Sequence, residues 1–262
     1  MPELPSPPAA LLLDIDGVLH VGDEPLPGAV ESLQLLRELA GGVRLVTNTT
    51  SKSRRAIVEH LRGLGFEVGE GEVVTPAALA VAHCRDRGYG RVSLMVGDSL
   101  REDMDELDAA ADDEPTEAIV LGDLGPGFTP ETLNAAFRRL MDGAELIVLQ
   151  HNRYWRRADG LALDVGAYAA ALEYASGVEP IVVGKPSREF FVAALDQLGA
   201  EPAAAVMVGD DIEADVGGGL DAGIASILVR TGKYREDAVA ASGVVPSATV
   251  DSIADLPALL GG

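Results

Sequence analysis

Ala9-Ala10-Leu11-Leu12-Leu13-Asp14-Ile15-Asp16-Gly17-Val18 runs from a continuous apolar block straight into two carboxylates and a glycine. An unbroken apolar run reads as a strand buried on both faces of a parallel sheet, with chemistry at its C-terminal end. Residues two apart on a strand point to the same side, so Asp14 and Asp16 can approach one reaction centre. Gly17 lets the chain turn away at once. One carboxylate can attack a phosphorus while the other handles the leaving group's proton. Asp-x-Asp-Gly alone is explained as well by a solvated turn. Three later motifs decide between the two.

Outward from this strand, strand-like and helix-like segments alternate. Val30, Leu33, Leu35, Leu36 and Leu39 give residues 29–40 helical amphipathic spacing. Gly41-Gly42 ends that helix, and Val43-Arg44-Leu45-Val46-Thr47 reads as the next strand. A second helix is expected from Ser51 to Leu64, closed by Gly65. Further strands are expected at 92–96, 118–121, 145–149, 181–183, 204–208 and 225–229, with a helix from Pro130 to Met141. This alternation predicts α/β architecture with a parallel sheet. Residues 105–117 read as an acidic, solvated loop.

Thr47-Asn48 stands at the end of the second strand, where a hydroxyl and main-chain N–H groups suit phosphate oxygens, or merely cap a helix. Gly184-Lys185-Pro186 follows Ile181-Val182-Val183, and a lysine at a strand end can neutralise phosphate charge. Ala205-Val206-Met207-Val208 ends in Gly209-Asp210-Asp211-Ile212-Glu213-Ala214-Asp215. Carboxylates in that setting suit Mg²⁺, which takes a few carboxylates together with substrate phosphate. Asp210 reads as the ligand. Asp215 and Asp211 read as supporting groups, with Asp211 also a natural helix cap.

Composition narrows the partners. The chain has 262 residues, 47% hydrophobic, enough for one large domain or two modest ones. Its formal charge of −22 repels a phosphate backbone, so no nucleic-acid partner is expected. The acid excess, with lysine only at 52, 185 and 233, fits either a high-salt cytoplasm or a GC-rich genome. No apolar run approaches a membrane span, and the first residues lack a signal-peptide pattern, so a cytoplasmic location without membrane contact is expected. Cys84 stands alone, which excludes an internal disulfide and reads as a small buried hydrophobe in a reducing compartment. His20, His60, His83 and His151 lack ligand-like spacing and read as structural or surface residues.

As a set, Asp14-Ile15-Asp16-Gly17-Val18, Thr47-Asn48, Lys185 and Gly209-Asp210 with Asp215 resemble the four motifs of the haloacid dehalogenase superfamily, in the same order. The long interval between Thr47 and Lys185 resembles its NagD-like, C2-capped phosphatases. The resemblance implies a Rossmann-like parallel-sheet core over 1–78 and 180–262, with an α/β cap of C2 type inserted at 79–179. Arg153-Tyr154-Trp155, Asp159-Gly160-Leu161-Ala162-Leu163, Ala171-Leu172-Glu173-Tyr174-Ala175 and Arg230-Thr231-Gly232-Lys233-Tyr234 look similar to two groups within it. These are the hydrolase-domain-containing protein 2 group and the phospholysine phosphohistidine inorganic pyrophosphate phosphatase group. Thr47-Asn48-Thr49-Thr50 and Asp16 lean toward the first.

The resemblance implies roles. Asp14 is the nucleophile that forms an aspartyl-phosphate. Asp16 protonates the leaving oxygen and then activates water. Mg²⁺ is held by Asp14, the main-chain carbonyl of Asp16 and the side chain of Asp210. Asp14, Ile15, Asp16, Thr47, Asn48 and Lys185 bind the transferring phosphoryl group, and Asp215 orients Lys185 or a metal-bound water. The physics agrees, because phosphoryl transfer needs positioning and charge neutralisation above all. The expected substrate is a small phosphorylated metabolite, with a homodimer formed through the cap. Asn152-Arg153-Tyr154-Trp155-Arg156-Arg157 is read as a cap loop that sets specificity, with Arg153 and Arg156 gripping the substrate body. The same aromatics serve equally well to pack the cap or a subunit contact. Competing activities are a pyrophosphatase, a phosphatase of P–N bonds or a phosphomutase on the same machinery. Dehalogenase chemistry fits poorly, needing neither Asp16 nor a metal. A phosphoryl-accepting receiver module shares the Asp, Thr, Lys and Mg²⁺, but is about half this length and has no cap.

Overall fold

The structure is a computed structural model. It describes every residue except Met1, Asp112, Asp113, Ala158, Asp159 and Gly262, and only the main chain of Trp155, Arg156 and Arg157. Fourteen strands are described, in chain order: β1 (Ala10–Asp14), β2 (His20–Val21), β3 (Glu24–Pro25), β4 (Val43–Val46), β5 (Val73–Val74), β6 (Val92–Met95), β7 (Ala118–Leu121), β8 (Glu145–Val148), β9 (Tyr154–Arg157), β10 (Gly160–Leu163), β11 (Ile181–Val182), β12 (Ala205–Gly209), β13 (Ala225–Val229) and β14 (Ala248–Val250). The chain forms two compact units. One comprises Met1–Thr47, Arg55–Val74 and Lys185–Gly262; the other comprises Asn48–Arg54 and Thr75–Gly184.

The first unit is built on a six-stranded sheet of order β14-β13-β12-β1-β4-β5 with every pair parallel. All five residues of β1 are buried, as the apolar run requires of a central strand. Its register sets Leu13 opposite Val208 of β12 and Asp14 opposite Val46 of β4. The chain order reverses around β1, and such a switch point opens a crevice at the carboxyl ends of the strands. The helix Ala29–Leu39 buries Ala29, Ser32, Leu33 and Leu36, so the amphipathic stripe faces the core. Leu11, Leu13, Leu33, Leu45, Leu61, Val206 and Ile227 belong to one contiguous core. A small antiparallel hairpin, β2 with β3, follows directly after Gly17.

The second unit carries a parallel four-stranded sheet, β11-β8-β7-β6. The helix Pro130–Met141 starts where the sequence predicts it, with Thr129 as the N-cap accepting from the Thr132 N–H. Three expectations shift. The helix expected from Ser51 begins at Arg54, whose N–H donates to Asp103 Oδ2 at 2.8 Å, so a carboxylate from elsewhere in this unit serves its first turn. The stretch read as a cap loop at 152–157 is mostly strand: β9 pairs antiparallel with β10, Trp155 opposite Ala162. The acidic segment 105–117 is not wholly unpaired, since Ala109 bridges to Val92 on the edge of β6. No helix among the described residues is long and apolar enough to cross a membrane.

Candidate active site

The register of β1 and β12 brings their C-terminal ends level, so Asp14 and the Asp210 turn emerge side by side. Asp14, Asp210 and Asp215 each offer a carboxylate oxygen within 4.8 Å of the others, and all three are buried. Lys185 is 3% exposed and sits among them. Its Nζ lies 2.6 Å from Asp14 Oδ1, to which it donates, and 2.7 Å from Asp215 Oδ1. Residues 171 positions apart in sequence are thus joined by a buried hydrogen-bonded ion pair.

The turn after β12 explains how Asp215 reaches back. Asp211 caps the turn Ile212–Gly217, a wide turn of π type, by accepting from the Glu213 and Ala214 N–H groups at 3.0 Å each. The Asp211 N–H donates to Asp215 Oδ2 at 3.1 Å. The wide turn returns Asp215 toward the strand end, a distortion that recurs at functional sites. Of the two residues read as supporting groups, Asp215 meets Lys185, whereas Asp211 serves the main chain.

Asp210 is gripped from the side. The Lys233 N–H donates to its Oδ2 at 2.6 Å. Gly17 and Gly232 have φ of +86° and +61°, and a Cβ on either would fall 1.9 Å or 2.0 Å from that same oxygen. Only glycine permits this approach and this backbone. The Thr231 hydroxyl donates to the Gly17 carbonyl. Asp210 Oδ1 is buried and has no hydrogen-bond partner among the described residues.

The electrostatics are one-sided. Three buried carboxylates face one buried ammonium, and the next cation, Lys233, is a more exposed side chain whose nearest carboxylate is Asp211 at 3.8 Å. Burial pushes the Asp14 carboxyl well above the ordinary carboxylate range, repulsion from Asp215 and Asp210 adds to it, and Lys185 opposes it. Asp210 is raised to about 6, by burial first and then by Asp215. Burial alone would lower the Lys185 ammonium, but Asp14 and Asp215 outweigh it and hold it above its ordinary range. An orphaned buried carboxylate oxygen beside two further carboxylates fits a small divalent cation, which would cancel the excess charge. The all-oxygen donor set suits Mg²⁺ rather than a soft metal.

The other candidate residues fall as follows. Ile15 is buried in the core, and its carbonyl accepts from the Leu19 N–H at 2.9 Å. Asp16, two residues beyond Asp14, has a side chain 58% exposed, and its Oδ1 lies 3.8 Å from His20 Nε2. His20 was expected to be structural or on the surface; it is buried, edge-on to His60 at 5.0 Å between ring centroids. Thr47 is buried at the end of β4, its N–H donating to the Val74 carbonyl at 3.2 Å. Asn48 opens the second unit. Arg153 is exposed just before β9. Arg156 lies on β9 opposite Leu161, and its side chain is outside the described residues, as are Asp159 and the Trp155 side chain. Tyr154 is 57% exposed, so it does not pack this unit's interior. The sequence reading gave no role to Thr231, Gly232 and Lys233. The signal was a Gly-Lys pair just past the apolar run Ala225–Val229.

Comparison with known proteins bears on this arrangement. A family model described as haloacid dehalogenase-like hydrolase matches residues 11–110, and a related HAD-hydrolase-like model matches 182–256. The chain is 43% identical over 226 residues to the human haloacid dehalogenase-like hydrolase domain-containing protein 2, spanning 86% of this chain and 85% of that protein. It is 42% identical over 256 residues to the bovine phospholysine phosphohistidine inorganic pyrophosphate phosphatase, spanning 95% and 93%. Among solved structures, a p-nitrophenyl phosphatase from Archaeoglobus fulgidus superposes with a TM-score of 0.90 at 30% identity, covering 97% of this chain and 99% of that one. A glycerol phosphate phosphatase from Mycobacterium tuberculosis, in complex with magnesium, superposes with a TM-score of 0.84 at 28% identity, covering 95% and 78%.

Proposed function

This chain belongs to the haloacid dehalogenase-like hydrolases and is a phosphatase, and on that footing we propose that it hydrolyses a small phosphomonoester through an aspartyl-phosphate on Asp14. The observation that carries the reading is the buried Lys185 held between Asp14 and Asp215, with Asp210 facing them. Asp14 attacks phosphorus with a carboxylate oxygen, forming the Asp14–phosphorus bond as the bond to the leaving oxygen breaks. Asp16 gives its proton to that leaving oxygen. It then takes a proton from water, whose oxygen attacks phosphorus, releasing inorganic phosphate and restoring Asp14. Lys185 neutralises charge on the phosphoryl oxygens and fixes the Asp14 carboxylate. Asp215 pins Lys185. Thr47 and Asn48 hold phosphoryl oxygens.

Asp14, Asp210 and the main-chain carbonyl of Asp16 are the groups that would hold Mg²⁺. When bound, the cation supplies charge neutralisation and lets Asp14 stay ionised. A structural neighbour solved in complex with magnesium supports Mg²⁺ as the cation. The second unit, with its inserted sheet, is the C2-type cap, and its β9–β10 hairpin carries Arg153 and Arg156 as specificity residues. Tyr154, Leu161 and Leu163, all more than half exposed on that hairpin, support a homodimer formed through the cap. The lone buried Cys84 supports a cytoplasmic setting. The bovine relative's name gives pyrophosphate and P–N phosphoryl compounds a claim to be assayed beside phosphomonoesters.

The test is Asp14→Asn, assayed with p-nitrophenyl phosphate and a panel of phosphorylated metabolites in Mg²⁺. A folded variant without turnover is expected. Near-normal turnover by that variant would remove Asp14 from its role.

A further inference from the structure

The Thr231-Gly232-Lys233 turn, just past β13, touches neither the phosphoryl-binding residues nor Lys185 in any contact described above. Its main-chain amide, its glycine and its hydroxyl meet Asp210 and the turn that follows Asp16, while the Lys233 ammonium reaches Asp211 at 3.8 Å. The Lys233 N–H takes Asp210 Oδ2 at 2.6 Å. Gly232 stacks its Cα against Gly17 so closely that a Cβ at 232 would stand 2.5 Å from the Gly17 Cα. The Thr231 hydroxyl ties the same Gly17 through its carbonyl. Asp210 Oδ2 is therefore enclosed by two glycines and satisfied by one amide, while Oδ1 is buried and unpartnered. A carboxylate held this way cannot swing to present both oxygens without losing the Lys233 bond and colliding with Gly17 or Gly232.

The distinction matters to cations. Mg²⁺ is small, demands octahedral geometry and takes carboxylates through single oxygens. Ca²⁺ accepts more ligands, at longer distance, and readily takes a carboxylate through both oxygens. We propose that the Thr231-Gly232-Lys233 turn is a positioning device for the divalent cation: it occupies Asp210 Oδ2, leaves Oδ1 as the single ligand oxygen, and so favours Mg²⁺ over Ca²⁺. This rests on the metal reading above and goes beyond it, assigning cation choice to a turn that supplies no ligand. Hydrogen-bonding partners of ligands are commonly worth about 10- to 100-fold in metal affinity.

The experiment is calorimetric titration of the full chain with MgCl₂ or CaCl₂, without substrate, for the native sequence and for Asp210→Asn, Gly232→Ala, Thr231→Val and Thr231→Ser. Asp210→Asn reports on the metal reading itself. If it binds Mg²⁺ as tightly as the native chain, Asp210 is no ligand and the proposal falls with that reading. With Asp210 established, Gly232→Ala is expected to lose about 10- to 100-fold in Mg²⁺ affinity and much less in Ca²⁺ affinity, so that the Mg²⁺:Ca²⁺ preference narrows. Thr231→Val should move the same way, and Thr231→Ser, which keeps the hydroxyl, should restore the native preference. The Thr231 pair carries the comparison should Gly232→Ala fail to fold. Unchanged Mg²⁺ affinity in the folded variants, or equal losses for both cations, would overturn the proposal and leave the turn a structural brace.

Discussion

Replacing Lys185 with methionine should cost the protein its stability and its turnover by one physical cause. The ammonium stands 2.6 Å and 2.7 Å from Asp14 and Asp215, with 3% of the residue exposed. At an effective dielectric of about 20, unit charges that close attract by roughly 6 kcal/mol per pair. Much of this is returned, since the ammonium no longer has to be stripped of water and the orphaned carboxylates can take up protons. Orphaning a buried charge costs about 3–5 kcal/mol net where measured. For a protein of this size that is roughly 6–20 °C in Tm. The assay is urea unfolding followed by circular dichroism in EDTA near neutral pH, with the m-value checked for constancy. Lys185→Met should lower the midpoint accordingly, and adding Asp215→Asn should recover part of the loss, because one of the repelling carboxylates is then neutral. The two substitutions should be non-additive by at least about 1 kcal/mol, as for groups in one network. Turnover of p-nitrophenyl phosphate should fall by about 10²–10³. A loss under about 1 kcal/mol, or strictly additive effects, would refute the picture of one ammonium compensating a crowded acid cluster.

Three further outcomes are expected. Asp16→Asn should reduce turnover of alkyl phosphates far more than that of p-nitrophenyl phosphate, whose leaving group hardly needs a proton; equal losses argue against Asp16 as the acid. Asp210 is raised from the ordinary 3.8 to about 6 in the metal-free protein. A raised folded-state value stabilises below the unfolded value and loses that contribution as pH climbs through the folded one. Metal-free Asp210→Asn should therefore gain stability relative to the native chain between about pH 4 and pH 6, and a flat difference in urea midpoints across that range contradicts the assignment. Arg153→Ala should lower kcat/KM for the preferred substrate by about tenfold to a hundredfold while sparing p-nitrophenyl phosphate. Parallel losses on both would make the hairpin a folding or subunit element.

The sequence announces the strands whose ends carry the site, because Ala10–Leu13 and Ala205–Val208 are apolar runs halted by acid. Parallel strands buried on both faces leave that signature, and the α/β class follows from it. Lys185 stands out for the same reason, after Ile181-Val182-Val183. Tertiary approach is where such reading stops. Nothing in Arg230-Thr231-Gly232-Lys233-Tyr234 says that Gly232 meets Gly17 across more than two hundred residues, or that the pair encloses Asp210. Asp211 reads as a helix cap and Asp215 as a partner of Lys185, and both readings hold, but the wide turn Ile212–Gly217 that returns Asp215 to the strand end leaves no mark in the sequence. Strands of two residues such as Val73–Val74 have no period to detect. The hairpin β9–β10 hid because Leu161 and Leu163 put the apolar side of its alternation outward. Two histidines without ligand spacing prove to be an edge-to-face pair, with His20 beside Asp16, a proximity that no local pattern signals.

The central claim, covalent catalysis by Asp14, has a direct test. Asp16→Asn slows breakdown of the intermediate, while p-nitrophenyl phosphate still forms it readily. Borohydride added during turnover of that variant with Mg²⁺ reduces an acyl-phosphate to an alcohol. Peptide mass spectrometry should then find homoserine at residue 14, absent when substrate is omitted. Unmodified Asp14 with homoserine at another carboxylate, or at none while product accumulates, would contradict the account.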